Sequence, residues 1–250
     1  MFARTEQPTK GIQLSTQPQD RRDRTSVVLG GTSGLGKEVA RFLAVRGSMV
    51  IVTGRTIETA QKAADEIGHG CKGIALDLAQ PETIAAALAE IGAVDDLVIA
   101  AIERDANSLR DYNIQKAIRA LTLKLVGYTE VVHTLSGRLS PTSSVVLFGG
   151  LAMERPYPGS ITVSTVNGGV TGLVRSLAFE IAPIRVNAIH PGIIGDSPEW
   201  REKDNSNIVS RTPLGRLVKM DEIVGSVVFL LDNTGINGVN LVVDGGWMLR

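Results

Sequence analysis

Residues 26–36 read SVVLGGTSGLG, and an amphipathic pattern follows at once. No other stretch restricts the fold as strongly. Ser26–Leu29 is short, apolar and closed by glycine, as a strand buried on both faces must be. Over Glu38–Arg46, apolar side chains at 39, 42, 43 and 45 trace one helix face. Between the two stand Gly30, Gly31, Gly34 and Gly36. A tight turn, a close approach of backbone to a diphosphate, and close helix–strand packing each favour a residue without Cβ. The helix start then offers unpaired N–H groups and its positive dipole end to an anion. The motif predicts a nucleotide cradle, with Thr32, Ser33 and Leu35 supplying backbone between the glycines.

The alternation continues along the chain. Met49–Thr53, Lys72–Leu76, Leu97–Ala101, Ser144–Phe148, Arg185–Ile189 and Val239–Val243 read as strands. Helices are expected from Thr56, from Pro81, and over Ser108–Gly137, Thr162–Ile181 and Asp221–Leu231. This order implies an α/β fold with parallel pairing and helices on both faces, in one domain over 25–250. Aromatic residues are only 4% of the chain, so aliphatic side chains must fill the core. Residues 1–24 are polar, hold Pro8 and Pro18, and read as a mobile N-terminal tail with Arg21–Arg24 as its solvated flank.

Composition excludes several classes. Lys plus Arg and Asp plus Glu are both 26, which leaves no basic footprint for nucleic acid. Cys71 is the only cysteine and His69, His133 and His190 are scattered, so neither a disulfide nor a metal-ligand spacing exists. No apolar run is long enough for a membrane span, and no apolar signal segment opens the chain. A cytoplasmic protein without a membrane partner is expected.

The glycine spacing at 30, 34 and 36 is joined by RVNAIHPG at 185–192, PLGR at 213–216 and VDGG at 243–246. In order and spacing these resemble the signatures of the short-chain dehydrogenase/reductase family, over nearly all of the expected domain. The resemblance implies a single Rossmann-type domain, with a doubly wound seven-stranded parallel sheet holding a nicotinamide dinucleotide at its switch point. It also implies oxidoreductase chemistry on a small carbonyl or alcohol substrate. By the same resemblance, Asp77, beside Leu78, would accept from the adenine amino group. Ala100 and Ala101 would lie along the cofactor, and Pro191, Gly192, Ile193 and Ile194 would hold the nicotinamide carboxamide. Gly54 stands where NAD-binding members carry an acid, and Arg55 follows it. That implies NADP(H), with NAD(H) as the alternative because Ser33 replaces the basic residue many NADP(H) members carry in the turn.

The family's acid–base groups are a Tyr, a Lys four residues later, a Ser thirteen residues before the Tyr, and an Asn on the fourth helix. Anchored on GLVRSLA at 172–178, this chain places Val163, Asn167 and Gly150 at the first three positions and Lys124 at the Asn. One reading is a rearranged reductase. Lys124, partly desolvated in the cavity, acts as proton donor or electrophile to a carbonyl oxygen, and Tyr157 in the loop 154–160 adds a hydroxyl. Asn167 then bonds the ribose. Glu103, Arg104, Asp105 and His190 are expected near the cavity rim. The second reading is a catalytically silent NADP(H)-binding regulator, or a silent subunit of a hetero-oligomer. A cofactor-free assembly role leaves the glycine turn and Arg55 without a purpose. The family's helix-paired dimer, with small residues at Gly168, Gly169 and Gly172, implies a homodimer or homotetramer. The polar segment Gly195–Arg211, with Trp200 its only aromatic, corresponds to the family's substrate lid.

Overall fold

The structure, a computed structural model, describes residues 21–103 and 105–249. Its centre is a seven-stranded parallel sheet of β1 (Thr25–Leu29), β2 (Met49–Gly54), β3 (Lys72–Ala75), β4 (Val94–Ile99), β5 (Leu139–Phe148), β6 (Arg185–Pro191) and β7 (Asn240–Val243). The strand order is β3-β2-β1-β4-β5-β6-β7. This is the expected doubly wound sheet. The winding reverses between β1 and β4, so the segments leaving these two strands part and open a crevice at their carboxyl ends.

Side chains alternate across the sheet and divide the interior in two. Val27, Leu29, Leu97, Ile99, Val145 and Leu147 point to one face. There they meet α3 (Ile84–Ala87), α5 (Tyr128–Leu135) and α6 (Ile161–Glu180). Val28, Val98, Val146 and Phe148 point to the other. That face is covered by α1 (Gly34–Val45), α2 (Ile57–Ile67) and α8 (Met220–Asp232), the last preceded in the chain by the one-turn α7 (Ser206–Val209). Burial on both sides is why the central strands read as continuous apolar runs.

Three expectations need correction. The helix foreseen over Ser108–Gly137 begins only at Ile114, where the Asn113 side chain caps it by accepting from Lys116 N at 2.9 Å. Asn107 holds the preceding loop. Its Oδ1 accepts from Asn113 N at 2.7 Å, and its Nδ2 donates to Thr162 Oγ1 at 3.1 Å. Short polar side chains bonding nearby backbone compete with the helix in such a segment. The helix then runs as α4 (Ile114–Leu121), a π-helical stretch Thr122–Gly127, and α5. Insertions of this type gather at functional sites. Second, β4 ends at Ile99, so Ala100 and Ala101 belong to the segment leaving the sheet, although Ala100 N still donates to Leu29 O at 2.8 Å.

The third correction concerns the tail. Residues 1–20 lie outside the described residues, but the expected solvated flank at 21–24 is anchored in the fold. Arg21 is fully buried between Asp96 of β4 and Asp232 at the end of α8. Arg24 shares Asp96 through Nη2 at 2.6 Å. A charge run in sequence carries no mark of carboxylates this distant along the chain.

Candidate active site

The glycine turn has the shape that its composition foretold. Gly30 has φ of 78°, and a Cβ there would lie 2.5 Å from Ala101 N. A Cβ on Gly36 would overlap the Gly30 carbonyl. Both positions therefore require glycine for packing. Gly34 differs, because its φ is 53° and the space beside its Cα is open. Ser33 is the N-cap of α1 but its side chain makes no capping bond, which leaves first-turn N–H groups available. Open backbone at a helix start fits a diphosphate. On the far side, the Ala101 carbonyl accepts from the buried Tyr128 hydroxyl at 2.8 Å. The sequence spacing of Tyr128 marks it only as core.

The outer half of the crevice lies at the ends of β2 and β3. A Cβ on Gly54 would stand 2.6 Å from Thr32 Cγ2 and 2.8 Å from Thr59 Oγ1, so an acid has no room there. Arg55 is exposed and precedes Thr56, the residue whose side chain caps α2 by accepting from Thr59 N at 3.3 Å. Asp77 is half-buried, and its Oδ1 accepts from Ala79 N at 3.0 Å. Leu78 is buried, and its carbonyl would collide with any Cβ on Gly127 at the end of the π-helical stretch.

The inner half centres on Lys124. It is only 7% exposed and sits within the π-helical stretch. Its Nζ donates to Asn167 Oδ1 at 2.9 Å and to Gly149 O at 3.4 Å. Asn167 is buried on α6, and a Cβ on Gly150 would come within 2.7 Å of its Nδ2. Glycines at 149 and 150 are thus the counterpart of large polar neighbours.

His190 is one of those neighbours. It stands fully buried on β6 rather than at a rim, and a Cβ on Gly149 would overlap its ring. Nδ1 accepts from Gly150 N at 3.0 Å, which puts the neutral ring's proton on Nε2, facing Asn240 Oδ1 at 2.9 Å. Burial lowers the His190 pKa below its ordinary value of 6.5, and the nearby Lys124 charge adds to the shift. A depressed folded-state pKa contributes stability in full above the unfolded value, and that contribution is lost as pH falls through the folded one. The thermal midpoint of the protein should therefore decline below pH 6.5, and His190→Gln should flatten that decline. Parallel melting curves for the two proteins between about pH 5 and 7 would refute this account.

The remaining expectations divide. Tyr157 is 53% exposed on its loop, and among the described residues its hydroxyl bonds nothing, so the structure does not join it to the Lys124 cluster. Glu103 pairs with Arg119 of α4, while Asp105 is buried against Asn107. Arg104 lies outside the described residues. Pro191 ends β6, Gly192 N donates to Val243 O at 2.8 Å, and Gly195 N donates to Val218 O at 2.9 Å. Gly192, Ile193 and Ile194 are thereby held half-buried between these anchors. In the segment beyond, Lys203 lies over the Trp200 ring at 4.4 Å.

Sheet order and glycine cradle together define a Rossmann-type dinucleotide-binding protein. A family model described as "Enoyl-(Acyl carrier protein) reductase" matches residues 30–248. The chain belongs to the short-chain dehydrogenase/reductase family. It is 34% identical over 236 residues to "Carbonyl reductase family member 4" of Xenopus laevis, covering 91% of this chain and 99% of that protein. It is 31% identical over 235 residues to "3-oxoacyl-[acyl-carrier-protein] reductase" of Mus musculus, with the same coverage of 91% and 99%. Among solved structures, a putative betaketoacyl-ACP reductase superposes with a TM-score of 0.82 at 28% identity, covering 93% of this chain and all of that one. Among the described residues, no helix is long and apolar enough to cross a membrane.

Proposed function

We propose that this chain is an NADP(H)-dependent oxidoreductase that interconverts a carbonyl and its alcohol, with Lys124 as the proton donor. The contact between Lys124 and Asn167 carries this reading. The family places an amide on the fourth helix and an amine at position 167. Here the two are transposed, and they touch directly. The cavity keeps one amine and one amide, but the positive charge comes from the π-helical stretch. A reduced nicotinamide, when bound, supplies the hydride. Lys124 Nζ gives the proton to the carbonyl oxygen and is reprotonated from solvent, while Asn167 and the Gly149 carbonyl orient it. Gly30, Thr32, Ser33, Gly34, Leu35 and Gly36 hold the diphosphate, and Asp77 takes the adenine amino group. Ala100, Ala101 and Pro191–Ile194 line the nicotinamide half. Relatives named as carbonyl and 3-oxoacyl reductases support a carbonyl substrate.

Arg55 reads the 2′-phosphate, because Gly54 leaves no acid to hold the ribose hydroxyls. Titration by nicotinamide fluorescence should show NADPH binding at least about tenfold tighter than NADH, as expected for one charge-assisted contact. Arg55→Ala should remove most of that gap. Equal affinities in the wild type would defeat the assignment. One observation favours the silent regulator as a second reading: Val163 and Gly150 bring no hydroxyl to the site. A second copy of the chain is the proposed partner through α4–α5 and α6. Gly168 and Gly172 face open space there, whereas Gly169 is already packed on Leu125 within the chain.

A further inference from the structure

We infer that Arg119 is the positioning residue that makes Asp77 selective for a 6-amino purine, an inference that rests on the cofactor reading above. Arg119 projects from α4 and grips two loops at once. Its Nη2 donates to Asp77 Oδ2 at 3.0 Å and Oδ1 at 3.3 Å. Its Nε donates to Glu103 Oε2 at 2.8 Å and Oε1 at 3.0 Å. Asp77 follows β3 and Glu103 follows β4, and β2 and β1 lie between those strands. The guanidinium thus ties together the two segments that flank the outer half of the crevice.

The acceptor count gives this bridge a consequence. A carboxylate offers about four lone-pair positions. Asp77 Oδ1 already accepts from Ala79 N and from Arg119, and Oδ2 accepts from Arg119. One position on Oδ2 is left for an incoming N–H donor. An amino purine supplies such a donor, whereas an oxo purine turns an oxygen lone pair toward the carboxylate and is repelled. The selectivity requires that the free lone pair keep one direction. Arg119 holds that direction, and Glu103 fixes the guanidinium from its other side. Without Arg119, the Asp77 carboxylate is restrained by Ala79 alone and can rotate to water.

The test compares NADPH with its hypoxanthine analogue by fluorescence titration of the full chain, in the wild type, Arg119→Gln and Arg119→Lys. The wild type should prefer NADPH by about tenfold. Arg119→Gln should weaken NADPH about fivefold and leave the analogue nearly unchanged, so the preference falls to about twofold. Arg119→Lys restores the charge without the fork and should lie between the two. Arg119 is half-exposed, and melting curves verify that the variants fold. Should Arg119→Gln not fold, a preference in Arg119→Lys equal to the wild type would overturn the inference. So would an unchanged preference in a folded Arg119→Gln, or parallel loss of both ligands. A wild type that binds neither nucleotide would overturn the cofactor reading itself, which is a distinct failure.

Discussion

Asp96→Ala is expected to lower the free energy of unfolding by about 3–5 kcal/mol, the usual consequence of removing one partner from a buried ion pair. Asp96 is fully buried on β4 and is the hub of the amino-terminal anchor. It accepts from Arg21 Nη1 at 2.6 Å, from Arg24 Nη2 at 2.6 Å and Nε at 3.1 Å, and from Ser26 Oγ at 2.9 Å. Arg21 is itself fully buried. Alanine at 96 would leave that guanidinium with Asp232, whose side chain is 19% exposed, and would leave the Ser26 hydroxyl facing a void. The net value of the intact cluster against an apolar replacement is a separate matter and can be close to zero. Urea unfolding followed by far-ultraviolet dichroism measures the effect as a shift in midpoint at constant slope. A loss below about 1 kcal/mol would show that Arg21 escapes to water when Asp96 is removed, and that residues 21–24 are not part of the folding unit.

Lys124→Met should reduce kcat by about 10²–10⁴, the usual contribution of a positioned general acid, while NADPH affinity stays within about threefold. Methionine matches the length of the lysine stem and tolerates buried surroundings such as those beside Asn167 of α6. A proton donor acts only when the oxygen develops charge, so its loss belongs in kcat and not in cofactor binding. The assay is NADPH oxidation against a panel of carbonyl compounds, beginning with 3-oxoacyl thioesters. A variant that turns over as fast as the wild type would remove Lys124 from the mechanism. A wild type that binds NADPH tightly and reduces nothing in the panel would favour the regulator reading, because Val163 and Gly150 then mark a site that has lost its chemistry.

The cradle at 30–36 could be read directly because its causes are local. Whether a turn can close, and whether a helix start can face an anion, depends on residues within one strand–turn–helix unit. The strands could be read for a similar reason, since burial on both faces demands an unbroken apolar run. Their limits were less secure. The loop before α4 replaced an expected helix because Asn107 bonds to Asn113 and Thr162, and apolar periodicity does not register side-chain bonds of that kind.

The sequence by itself determined the parallel α/β sheet, the glycine-rich turn at 30–36, and the residue types Gly54, Lys124 and Asn167. Each of these depends on residue types along short stretches of chain, without knowledge of which distant residues meet. Only the tertiary structure decided that Lys124 and Asn167 touch across 43 residues, that Arg119 clasps Asp77 across 42, and that Arg21 is buried against Asp96 across 75. It also left Tyr157 exposed on its loop and set His190 beside Gly149. Charged and polar side chains carry no periodic signature of their own. Their partners are chosen by which strand ends and helix faces the sheet order brings together.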